Sequence, residues 1–91
     1  MAKKATHIVL GVHITGRQVN AAKVQELLTK YGCYIKTRLG LHNIDDSSCS
    51  TNGLLLLHMS GEPSASHELA EKLSALSGVC VQKMVFEYEN E

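Results

Sequence analysis

The chain has 91 residues, with nine Lys plus Arg against nine Asp plus Glu, so its formal charge is zero. That length holds one small domain, and the balanced charge excludes the basic footprint of an autonomous nucleic-acid binder or a polybasic membrane-surface protein. An apolar share of 44% is too high for a disordered chain, and a compact chain of this size has a radius of gyration near ~12 Å.

Met1-Ala2-Lys3-Lys4 has the charge of a signal-peptide start, but the apolar run behind it is short, is interrupted by His7 and His13, and has no small-residue cleavage pattern. The run His7 to Thr15 is β-branched and almost continuously apolar, which predicts a central strand. Gly16 breaks it. Val24, Leu27, Leu28 and Tyr31 then recur at helical spacing, and Gly32 is expected to close that helix as a C′ residue. From Cys33 to His42 the period becomes two, with Ile35, Thr37, Leu39 and Leu41 on one side and Tyr34, Lys36, Arg38, Gly40 and His42 on the other. Such alternation suits an edge strand.

Asn43 to Asn52 is the longest polar stretch and reads as a hairpin loop. Gly53 to Ser60 is a second continuous apolar strand. Gly61, Glu62 and Pro63 form a turn, Ser64 or Ser66 supplies a helix N-cap, and Leu69, Leu73 and Leu76 stripe a second helix closed by Gly78. Val79 to Tyr88 is the last strand, with Asn90-Glu91 a frayed end. The two halves repeat one strand–helix–strand pattern. They predict a single α+β domain over residues 1–91, with its core about 7–88: a ferredoxin-like βαββαβ fold, its antiparallel four-stranded sheet ordered 4-1-3-2 with both helices on one face.

If Ile8, Leu10, Val12 and Ile14 face the helices, then His7, Val9, Gly11 and His13 line the other side of the sheet. Leu55, Leu57 and Met59 inward leave Leu54, Leu56 and His58 outward; Val79, Val81 and Val85 inward leave Cys80, Met84 and Phe86 outward. The open face then centres on Val9, Leu54, Leu56, Met84 and Phe86, which is too apolar to be left in water. We expect another copy of the chain to pack on it, as a dimer or tetramer. A run of four leucines also permits the opposite facing.

The stretch Leu27-Leu28-Thr29-Lys30-Tyr31-Gly32, then Ile35 and Arg38-Leu39-Gly40, resembles the iron-only hydrogenase system regulators, a family of small ACT-like domains. Leu54 to Leu57, Leu73, Leu76 and Gly78-Val79-x-Val81-x-Lys83 continue the likeness, which spans about His7 to Phe86, with Arg38-x-Gly40 its most distinctive element. The resemblance implies a ferredoxin-like fold, a homo-oligomer and a sheet similar to the effector domain of the nickel-responsive repressor. The long polar loop with Cys49 and the acidic C-terminal residues depart from the family pattern.

Likeness to ACT sensors implies an effector near the first strand–helix turn, here Thr15-Gly16-Arg17-Gln18. Gly16, Arg17, Arg38 and Gly40 are therefore the candidate effector residues, the guanidinium fork suiting a small carboxylate or phosphate. Arg38 and Lys36 are expected on the open face, and an arginine paired with Glu87 or Glu89 is the structural alternative. His13, His42, Cys49 and Cys80 should fall at one end of the sheet, a ligand list suited to nickel or zinc, although Cys80 could equally pack as an apolar residue. His7 and His13 share a face but lie roughly 20 Å apart along one strand, too far to hold one ion.

Three cysteines with no C-x-x-C exclude a zinc ribbon or thioredoxin-like pair and point to a reducing cytoplasm. No stretch reaches the ~20 apolar residues of a membrane helix. An acylphosphatase-like enzyme would share this topology, but Arg17 and Asn20 match its loop only loosely and no phosphate cradle precedes them. RNA-recognition sheets stack bases on aromatics where this chain has His, Val, Gly and Leu. The sequence is thus read as a non-enzymatic, homo-oligomeric, ligand-sensing module, and any transcriptional effect is expected to run through a partner protein.

Overall fold

Strand alternation fixes which side of the sheet is dry. In the computed structural model, which describes residues 3–15, 18–42 and 53–90, β1 (Lys3–Ile14) buries Ile8, Leu10, Val12 and Ile14 and turns the residues between them away. Next come α1 (Gln18–Lys30), a 3-10 turn at Gly32–Tyr34, and β2 (Ile35–His42); β3 (Gly53–Met59), α2 (Pro63–Ser74) and β4 (Val79–Asn90) complete the chain order. The sheet runs β2-β3-β1-β4 with antiparallel neighbours throughout. This is the expected 4-1-3-2 order seen from the other edge, and the fold is the ferredoxin-like βαββαβ arrangement. Val24 and Leu28 of α1, Tyr31 just after it, and Leu69, Ala70 and Leu73 of α2 pack with the inward residues of β1 and with Leu57 and Met59 in one core. Both helices therefore cover the same side. Among the described residues no helix is long and apolar enough to cross a membrane.

Four local expectations are corrected. Gly32 does not close α1 in the left-handed region; the positive-φ glycines among the described residues are Gly61 and Gly78, and Gly32 instead opens the 3-10 turn. Neither serine caps α2. Its N-cap is Glu62 with Pro63 at the first turn, where the missing N–H is not needed, and Ser66 is buried. Strands β1 and β4 are longer than their apolar cores suggest. Lys3 to His7 pair with Phe86 to Asn90 beyond the last β1–β3 pair, Ile8 with Met59, so Asn90 belongs to a strand rather than a frayed end. This two-stranded arm draws the molecule out to 55 Å in its longest dimension and its radius of gyration to 14.5 Å.

The fourth correction is a β-bulge. Ile35 pairs with Met59 but Thr37 pairs with His58, so Lys36 is an extra residue in β2. A bulge inserts one residue into one strand and resets the alternation beyond it. Arg38 consequently stands opposite Leu57 and Leu39 opposite Leu56. Arg38 lies on the helix side, not on the open face, and Leu39 takes the outward place.

Candidate functional site

The open face is a lattice of cross-strand rows, because residues paired across an antiparallel sheet point the same way. One row runs Thr37, His58, Val9, Met84; the next runs Leu39, Leu56, Gly11, Gln82. Leu54, His13 and Cys80 form a third, and on the arm His7 faces Phe86. Leu39 is 51% exposed, Met84 51% and Phe86 55%, while Val9, Leu54 and Leu56 are half-buried by their neighbours. No element of the chain covers this surface among the described residues. The expected interface residues are thus together, and Leu39 joins them. Its outward place was hidden by the bulge, which puts Leu39 opposite Leu56.

Three aromatic side chains meet where the arm leaves the sheet. His7 and His58 have ring centroids 5.2 Å apart, and Tyr88 meets His7 edge-on at 5.1 Å with its hydroxyl 3.1 Å from His7 Nε2.

Of the candidate metal ligands, His13 and Cys80 are direct cross-strand partners and both are exposed. His42 pairs with Gly53, which pairs with Ile14, so its backbone is at the same end of the sheet. Cys49 lies outside the described residues. Among those described, no three His, Cys, Asp or Glu residues are grouped to hold an ion.

Gly16 and Arg17, half of the candidate effector set, also lie outside the described residues. Arg38 donates from Nη2 to Gln25 Oε1 on α1 at 2.8 Å. Gly40 is two residues further along the same side, and a Cβ there would meet Leu55 Cδ2 at 3.3 Å. Arg38 is therefore a strand-to-helix tie beside a position without a side chain. It is separated from the open face by the thickness of the sheet.

The helix side carries a cleft of about 630 Å³ between α1 and α2, lined by Lys23, Glu26, Leu27, Lys30, Lys72, Ala75 and Leu76. The ammonium groups of Lys30 and Lys72 lie 6.0 and 5.4 Å from the Tyr31 ring centre, and Lys72 meets Glu68 at 3.4 Å. A hydrogen bond with Tyr31, then the Lys72 ammonium, holds the Glu68 carboxyl below its ordinary value. Hydrogen bonds with Tyr31, then Glu68 and Lys30, raise Lys72. Sequence reading missed this cleft because its lysines look like ordinary solvated helix positions.

Neither a protein-family model nor a curated protein sequence matches the chain. Solved structures do. An uncharacterized protein of Thermotoga maritima superposes with a TM-score of 0.75 at 23% identity, covering 92% of this chain and 99% of that one. The apo form of CPII, a nitrogen regulatory PII-like protein of Thiomonas intermedia, gives 0.63 at 11% identity over 100% of both chains. CPII bound to ADP, AMP and bicarbonate gives 0.60 at 13%, covering 94% of this chain and 93% of that one. At these identities the likeness is one of fold alone.

Proposed function

We propose that this chain is a non-enzymatic, ligand-sensing ACT-like regulatory module that works as a homo-oligomer, the role implied by its resemblance to the iron-only hydrogenase system regulators. The observation that carries the reading is the uncovered apolar sheet face, on which Leu39, Met84 and Phe86 are each more than half exposed. Monomeric proteins rarely leave a contiguous surface of that kind in water. A second copy is the natural cover, because an isologous contact lets one patch satisfy itself. An effector bound more tightly by one packing of the subunits than by another shifts the assembly toward it, and the reach of that shift is set by the difference in affinity. CPII, which shares the fold, binds ADP, AMP and bicarbonate. Small anions are therefore the first effectors to try, with Gly16, Arg17, Arg38 and Gly40 as candidate contacts. The partners are then other copies and a small effector rather than nucleic acid or membrane, in a cytoplasmic setting.

A second reading is a nickel or zinc sensor using His13, His42, Cys49 and Cys80. It is favoured by the placement of His13 directly across from Cys80, a nitrogen and a sulfur donor suited to either metal.

Native mass spectrometry of the purified protein tests the first reading, followed by thermal-shift measurements with ADP, AMP, bicarbonate and nickel. A dimer or tetramer stabilised by one of these anions is expected. A monomer stabilised by none of them overturns it. Nickel stabilisation lost in His13→Ala and Cys80→Ser favours the second.

A further inference from the structure

We propose that His7 and His58 form a divalent-metal site on the open sheet face, with Tyr88 as the residue that orients His7. The site belongs to the root of the arm, at a distance along β1 from His13 and Cys80, and does not rest on either reading above. His7 is carried by β1 and His58 by β3, where His58 pairs with Val9, two residues along from His7, so the two imidazoles are diagonal neighbours on one side of the sheet. Their ring centroids are 5.2 Å apart. Two imidazoles on one tetrahedral zinc ion, with Zn–N about 2.0–2.1 Å, place their centroids about 5 Å apart. The centroid spacing in the protein matches that of such a pair.

The second observation is a hydrogen bond at one nitrogen of the His7 ring. Tyr88 Oη lies 3.1 Å from His7 Nε2. Metal-ligating histidines characteristically use their other ring nitrogen to hold an outer partner, which fixes the tautomer and the ring's orientation. In the tautomer that donates Nε2–H to Tyr88 Oη, Nδ1 of His7 is the nitrogen left to ligate. Exposed Phe86, the pairing partner of His7, and half-buried Val9 supply apolar surroundings. Neutral nitrogen donors of this kind suit nickel, copper and zinc rather than magnesium or calcium. Two protein ligands leave the remaining positions to water, so affinity is modest and the loss of either ring abolishes chelation.

Nickel titration by isothermal calorimetry, on untagged protein carrying His13→Ala and Cys80→Ser, isolates this site from the other end of the sheet. The expected result is one nickel per chain, with affinity at least tenfold weaker when His7→Ala or His58→Ala is added. Tyr88→Phe, which keeps the ring and removes the hydroxyl, weakens binding about 10-fold or more. Circular dichroism and thermal unfolding of each variant establish that the fold is retained; His58→Gln replaces His58→Ala if the latter fails to fold. Absence of nickel uptake in this background, or uptake unchanged by loss of His7 or His58, overturns the proposal while leaving both functional readings standing.

Discussion

Arg38 and Lys83 stand at the two ends of one cross-sheet row, separated by the fully buried Leu57 and Leu10. Each sends its charged end to a different helix. Arg38 donates to Gln25 Oε1 on α1 at 2.8 Å, and Lys83 Nζ lies 3.1 Å from His67 Nδ1 on α2. The sheet edges are thus tied to the helices by polar side chains where the apolar core runs out. These ties are exposed, so each contributes little. Arg38→Ala, Gln25→Ala and the double variant should each lower stability by under about 1.5 kcal/mol, with a measurable coupling in the cycle. Urea unfolding checks this; a coupling of zero would mean the hydrogen bond does not persist in solution.

Deletion of Lys36 tests the bulge. Because Lys36 is the extra residue, its removal leaves Thr37 opposite His58 and Arg38 opposite Leu57. The deletion variant should keep its fold, with a stability change of about 1 kcal/mol, and the Arg38–Gln25 coupling should survive. In a strand without a bulge the same deletion would exchange Arg38 and Leu39 between the two faces, and that coupling would vanish.

Neighbouring leucines on β3 should respond in opposite ways. Leu57→Ala empties a fully buried place in the core and should cost about 2–5 kcal/mol. Leu56→Lys and Phe86→Lys instead place charge on the open face. They should leave the helix-side core intact while shifting sedimentation toward monomer, read at matched protein concentration because assembly and stability are linked.

Gly61 has φ +84°, and a Cβ there would lie 3.1 Å from Tyr34 Cδ1. Gly61→Ala should therefore destabilise the protein by about 1–2 kcal/mol, measured by thermal unfolding.

The Glu68 carboxyl is held below its ordinary value by Tyr31 and Lys72. A group with a depressed folded value adds stability above its unfolded pKa, and that stability fades as pH falls through the folded value. The melting-temperature difference between the natural protein and Glu68→Gln should therefore be present at neutral pH and vanish in strong acid. It should also shrink with salt, since the pair is exposed. A difference that grows in acid would contradict the assignment.

The topology was legible because two unbroken apolar strands, each followed by a striped helix, leave few ways to build a sheet. The assumed facing of β1 and β3 holds, with Leu10 and Leu57 buried as expected, although the four leucines of β3 alone left its facing open. Facing in β2 did not follow, because a bulge costs one residue and leaves no mark in composition; Ile35 and Arg38 are three apart yet share a side. The arm escaped notice for a different reason. Lys3, Lys4 and Glu89 lie outside the apolar runs, and strand pairing there depends on backbone hydrogen bonds rather than on an apolar pattern. As for the site, His13 and Cys80 could be brought together from topology alone. The His7, His58 and Tyr88 contacts required both the register and the arm.

That arm divides the backbone by local stability. From Lys3 to His7 each strand has one described neighbour, whereas from Ile8 onward β1 is flanked by both β3 and β4. A ribbon of two strands is marginal in water, and three or more strands on a core are not. Amide exchange should consequently be fast along Lys3 to Thr6 and Glu87 to Asn90 and slow from Ile8 to Val12, with the boundary falling at the His7–Tyr88 ring pair. Whatever occupies that ring pair acts as the clasp of a zipper, deciding how far opening from the tip can run.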